Sequence, residues 1–126
     1  MERVRRVNQL WVYGRAYELA MELFEASRAW PKAERYALTD QVRRSSRSVC
    51  ANLAEAWAKR AYRKHFASKL SDAHAEAEET IVWIEFARDC HYLDPECAAA
   101  LGLDYRRVIA GLVRMKTNSG QWTTER

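Results

Sequence analysis

"QVRRSSRSVCANLAEAW", residues 41 to 57, sets the class of the fold. At about 100° per residue, the apolar and small side chains Val42, Ser46, Val49 and Leu53 fall on one face of a helix. Arg43 and Arg47 stack one turn apart on its flank, and Arg44 lies further round the back. The same wheel puts Cys50, Ala51 and Ala54 on the outer side beside the arginines. Small residues next to arginines are an unusual solvent coat. They let another helix approach closely, and arginine is favoured over lysine at interfaces. The face Arg43, Arg47, Cys50, Ala51 and Ala54 is therefore the candidate subunit interface.

The same three- and four-residue spacing recurs along the chain. Val12, Ala16, Leu19, Leu23 and Ser27 form one stripe, and Leu38, Val42, Ser46, Val49, Leu53 and Ala56 a second. Phe66, Leu70, Ala73, Ala77, Ile81, Ile84 and Ala87 form a third, and Leu101, Tyr105, Val108, Leu112 and Met115 a fourth. No segment alternates with period two, so no strand is expected. Pro31 and the charged "WPKAERYA" interrupt the chain after the first stripe. In "YLDPEC", Asp94 fits an N-cap, Pro95 the first helical position and Glu96 the positive helix end. These signals predict helices over 10–28, 36–59, 62–91 and 95–117, with 118–126 a loose polar tail. The expected fold is all-α: one domain over residues 1–126, an antiparallel up-down-up-down four-helix bundle.

Composition agrees. With 126 residues, 48% hydrophobic, 30% charged, four glycines and two prolines, the chain is one globular domain rich in helix formers. Cys50, Cys90 and Cys97 have no metal-ligand spacing and read as reduced thiols of a cytoplasmic protein. The most apolar run, "IVWIEFA", is far too short to span a bilayer, and no secretory signal is present, so no membrane association is expected. The net charge of +4 permits a nucleic-acid partner without requiring one.

Charge is segregated along the chain. Residues 41 to 69 carry eight cations (Arg43, Arg44, Arg47, Lys59, Arg60, Arg63, Lys64, Lys69) against Glu55 alone. Residues 71 to 89 carry six acids (Asp72, Glu76, Glu78, Glu79, Glu85, Asp89) against Arg88. Two readings stand: an unevenly charged solvated surface, or basic and acidic surfaces that meet between subunits.

"QVRRSSRSVCANLAEAW" also resembles the signature of a bacterial four-helix-bundle family encoded in intervening sequences of large-subunit ribosomal RNA genes, roughly Q-I-R-R-A-x-x-S-I-x-x-N-I-A-E-G. Gln41, Arg43, Arg44, Ser48, Asn52, Ala54 and Glu55 match it, with Val42, Val49 and Leu53 as conservative replacements. "KHFASKLSDAHAEAEETIVWIEFARDCHYLD" is similar to the family's third helix and the link that follows. The resemblance runs from Leu10 to Lys116. Ala56 stands where the family has glycine, which predicts that the second helix runs on. The family includes the accessory variability protein of diversity-generating retroelements, a homopentameric barrel that associates with a reverse transcriptase and binds nucleic acid. The resemblance therefore implies a homo-oligomer, preferably a pentamer.

No catalytic constellation is legible. Tyr62, Ser71 and Arg88 stand three residues before His65, His74 and His91, so the Glu-x-x-His repeats of di-iron bundles are missing. His74 and Glu78 lie one turn apart, a spacing that a solvated helical pair explains better than a metal does. There is no glycine-rich phosphate loop. No enzymatic activity, cofactor or metal is expected. Two functions remain: a homo-oligomeric scaffold or adaptor for another macromolecule, or an RNA- or DNA-binding accessory protein. The second would use the basic surface of helices two and three, with Arg44, Lys59, Arg60, Arg63 and Lys64 as candidate contacts alongside Arg43 and Arg47. Trp11, Trp30, Trp57, Trp83 and Trp122 are scattered, and core or interface packing is the expectation for most of them.

Overall fold

A computed structural model describes residues 4–124. Four long helices carry the fold: α1 (Trp11–Ser27), α2 (Leu38–Ala58), α3 (Arg63–Asp89) and α4 (Pro95–Thr117). A short α5 (Ser119–Trp122) follows, and single 3-10 turns occupy Val7–Gln9 and Lys32–Glu34. There is no strand among the described residues.

Cross-helix contacts give the direction of packing. Ser45 meets Thr80 and Glu55 meets Lys69, so α2 and α3 run oppositely. Glu78 meets Arg106 and Ser71 meets Lys116, which does the same for α3 and α4. Ser27 with Arg43, and Arg15 with Asp104, pair α1 against α2 and α4. The most extensive contact is α2 with α3. Small buried residues on both sides, Ser45 and Ser46 against Ala73, Ala77 and Thr80, let these axes come close. Thr80 Oγ1 donates to Ser45 Oγ at 2.8 Å in the interior, which satisfies polar groups that burial would otherwise penalise.

All the residues expected in the four stripes are buried. Helix α2 buries a wider arc than its stripe, adding Thr39, Ser45, Cys50 and Trp57, because it packs against both α1 and α3. It also continues to Ala58, past Ala56.

Helix α3 ends in a Schellman turn. His91 takes φ 65°, its N–H donates to the Arg88 carbonyl, and the Tyr92 N–H reaches back to Ala87 at 2.8 Å. At the start of α4, Asp94 occupies the N-cap position and Pro95 and Glu96 follow, but the Asp94 side chain caps no amide.

The tail is a correction. Ser119–Trp122 is a helical turn rather than loose chain, the Trp122 ring packs edge-on against Trp57 at 6.2 Å, and the Thr124 N–H donates to the Arg60 carbonyl. One aromatic anchor outweighs the polar average of the segment. Trp57 Nε1 also donates to the Arg5 carbonyl at 3.2 Å. Both ends of the described chain therefore fasten to the C-terminal end of α2.

Candidate functional site: an arginine-lined face and a basic end

The candidate interface residues divide in two. Cys50 is a correction: it is buried, not on the outer side. Burial pushes its thiol up to about 11, because the apolar surroundings disfavour the thiolate. Its angular position is at the edge of the buried arc, and Tyr13 of α1 lies close enough to interact with it. Cys90 and Cys97 are exposed. Iodoacetamide at neutral pH should alkylate Cys90 and Cys97 in the folded protein and Cys50 only after denaturation, as mass spectrometry will show.

Arg43 and Arg47 lie against α1 on the outer α1–α2 face, while Ala51 is exposed and Ala54 half-buried further along α2. Arg43 is half-buried, its Nε donates to Ser27 Oγ at 2.8 Å, and its guanidinium lies 4.8 Å from the centre of the Phe24 ring. Arg47 and Arg28 approach the same ring at 5.7 Å and 5.9 Å. Three cations thus surround one phenyl group, each attracted to its π face. Of the three, Arg28 has a carboxylate of its own chain beside it, Glu25. Next to Phe24 run Tyr17 and Met21, 53% and 46% exposed. A shallow groove is lined by Tyr17 and Met21 together with Glu18, Glu22 and Glu25, of which Glu18 pairs with Arg15 and Glu25 with Arg28. Across the surface the order is arginine, apolar strip, then carboxylates, two of them paired with arginines of α1 and its C-terminal end. Sequence reading found the arginines but missed Tyr17, Met21 and Phe24, because their stripe lies just outside the buried one on α1.

Part of the charge segregation is met within one chain. Arg44 pairs with both Glu76 and Glu79 of α3 in its own chain, and Glu55 pairs with Lys69 at 2.7 Å. Antiparallel packing lays the basic start of α2 along the acidic second half of α3. The Glu55 carboxyl sits below the usual carboxylate range because Lys69 donates to it. Arg44, a candidate nucleic-acid contact, is thus already held by two acids.

The other four candidate contacts gather at one end of the bundle. Lys59, Arg60, Arg63 and Lys64 lie where α2 turns into α3. Arg60 stacks over the Trp57 ring at 4.3 Å and donates to the Trp57 carbonyl. The structure adds Arg5 and Arg6, brought there by the bond from Trp57 to Arg5. The described segments that meet at this end, residues 4–17, 56–71 and 105–124, contain no Asp or Glu, and Glu55, paired with Lys69, borders them. Exposed rings stand among the cations: Tyr62 is 62% exposed with His65 at 5.6 Å, and Trp11 is 57% exposed. The bulk charge of +4 concealed this, because most of the acids among the described residues lie elsewhere.

His74 and Glu78 are 3.3 Å apart, and Glu78 is shared with Arg106. Among the described residues no group of three or more His, Cys, Asp or Glu is placed to hold a metal ion, and no helix is long and apolar enough to cross a membrane.

A sequence model described as "23S rRNA-intervening sequence protein" matches residues 8–114. No curated protein sequence matches the chain. Among solved structures, one similar in fold is a protein of unknown function from the S23 ribosomal protein family of Bacteroides thetaiotaomicron VPI-5482, whose crystal structure was determined at 1.70 Å. The TM-score is 0.76 at 24% identity, over 84% of this chain and 95% of that one. With a match that spans residues 8–114 and a bundle geometry to go with it, the chain belongs to the 23S rRNA-intervening sequence protein family.

Proposed function

We propose that the protein is a non-enzymatic, cytoplasmic homo-oligomer that serves as a scaffold or adaptor for another macromolecule. The observation behind this is the outer α1–α2 face, where Arg43 and Arg47 flank an exposed apolar strip of Tyr17 and Met21. Exposed apolar side chains bordered by arginine have the composition of an association surface. The family resemblance makes five the preferred subunit number. Sedimentation equilibrium at micromolar concentration should return a mass several times 14.7 kDa, near five times for the pentamer. A concentration-independent monomer would remove the scaffold reading.

A second reading is favoured by the basic end. Arg5, Arg6, Lys59, Arg60, Arg63 and Lys64 with the exposed rings of Tyr62 and Trp11 form a surface suited to the phosphates and bases of a nucleic acid. The two readings are compatible, since an oligomer would present several such ends at once.

A further inference from the structure

The basic end is not a flat field of charge. A cavity of about 300 Å³ opens where the start of α1 meets the end of α4 and α5, a volume at the lower end of small-ligand sites. Its floor is apolar, made by the buried Leu10, Val12 and Met115. Gly111 lines it too and, having no side chain, takes none of the space. One wall is Trp11, 57% exposed and without a ring contact among the described residues. The other is Trp122, half-buried, with Trp57 edge-on behind it. Asn118, Gln121 and Arg114 complete the lining, and their side chains have no hydrogen-bond or ion-pair partner among the described residues.

A second, narrower cavity of about 160 Å³ adjoins the first at Gln121 and Trp122. Arg60 and Thr123 line it. Arg60 is half-buried, stacked over Trp57 at 4.3 Å. Thr123 Oγ1 is buried and has no hydrogen-bond partner in the chain. Such a hydroxyl costs stability unless a group from outside the chain pairs with it.

We infer that the two cavities hold one nucleotide of a single strand, its unstacked base against Trp11 and Trp122 and its phosphate beside Arg60 and the Thr123 hydroxyl. This rests on the second reading above, that the basic end binds nucleic acid, and specifies where one nucleotide is held and by which groups. Charge selects the occupant: every segment that lines the cavities is free of Asp and Glu, and a phosphate requires cations and donors. An apolar floor between indole walls suits a base, whose faces stack and whose edge is polar. The amides of Asn118 and Gln121 each offer a donor and an acceptor, so they meet any base edge and the site takes every base. Duplex bases stay stacked inside the helix and do not reach such a cavity.

The base is isolated by comparing a short oligouridine with an abasic strand of equal length and charge, each titrated into the full chain. The abasic strand should bind more weakly by roughly 5- to 150-fold, as expected for the loss of one base–aromatic stack. Trp11→Ala should weaken oligouridine by the same factor and leave the abasic strand unchanged. Thr123→Val should weaken both strands by roughly 10-fold, the loss of a hydrogen bond to a charged group. Its urea midpoint should hold or rise, because the variant removes a buried hydroxyl that pairs with nothing in the chain. Equal affinity for the two strands, or wild-type affinity for oligouridine in either variant, would overturn this inference and leave the electrostatic reading of the basic end intact. Shifts of the Trp11 and Trp122 indole N–H signals with N-acetylphenylalaninamide but not with oligouridine would assign the cavity to a protein side chain and overturn it equally. No binding of either strand at low salt would overturn both.

Discussion

Gly111→Leu will loosen α1 from the bundle and lower the stability of the fold by about 3 kcal/mol, at the upper end of typical overpacking costs. Gly111 lies on the buried face of α4, and a Cβ built there would stand 2.7 Å from Val12 Cγ1 and 3.6 Å from the Trp11 ring. Real Cβ atoms do not come so close, so something must move. Val12 cannot swing aside cheaply, because its branched Cβ restricts χ1 in a helix and it is itself buried. The contact between α1 and α4 is also sparser than that of α1 with α2. The least costly response is therefore for the first turn of α1 to lift away. Gly111→Ala should cost less, since it adds only the Cβ, and the gain of about 1 kcal/mol in helix propensity that it shares with leucine offsets more of the smaller clash. Val12→Ala should rescue part of the loss in the double variant, a coupling that urea denaturation of all four proteins would measure. Equal stability of Gly111→Leu and wild type would show that α1 does not pack on α4 in this register.

The same contact shows what the sequence did and did not reveal. Nothing in the sequence pattern singles out Gly111, since its reason for being there lies in the opposing helix. Stripe centres were legible because burial repeats with the helical period, and every residue from Val12 to Met115 assigned to a stripe is buried. Stripe breadth was not legible. Thr80 and Ser45 are polar, so hydropathy placed neither in the interior, yet each satisfies the other there. Cys50 failed for a related reason: a residue at the edge of the buried arc is covered or exposed according to what its neighbour carries. Arg44 shows that linear charge blocks do not reveal their partners, because antiparallel packing brought Glu76 and Glu79 alongside it. The basic end was half legible. Lys59 to Lys64 are a visible cluster, whereas Arg5 and Arg6 join it only through the bond that Trp57 makes to the chain's first turn.

That basic end carries the second large expected effect. Single-stranded RNA or DNA should bind there with little sequence preference, since the cations are clustered but no base-reading module accompanies them. If six to ten phosphates are contacted across neighbouring copies, raising salt from about 50 to 200 mM should weaken binding by roughly 10³- to 10⁵-fold. The informative variant is not the obvious one. Arg60 is stacked on Trp57 and bonded to its carbonyl, and Arg63 is engaged within the fold, so reversing either disturbs the bundle as well as the charge. Arg5, Arg6, Lys59 and Lys64 are exposed. Reversing these four to glutamate should remove binding while the sedimenting mass stays at its wild-type value. Arg44→Glu should change affinity far less, because Glu76 and Glu79 already neutralise that guanidinium. Tyr62→Ala separates stacking from charge: it should cost about 1–3 kcal/mol per base stacked with the salt slope unchanged. Binding unmoved by the Arg5, Arg6, Lys59 and Lys64 reversal would place the contact on another surface. No association with labelled RNA or DNA even at low salt would remove nucleic acid as a partner and leave the scaffold to act on protein alone.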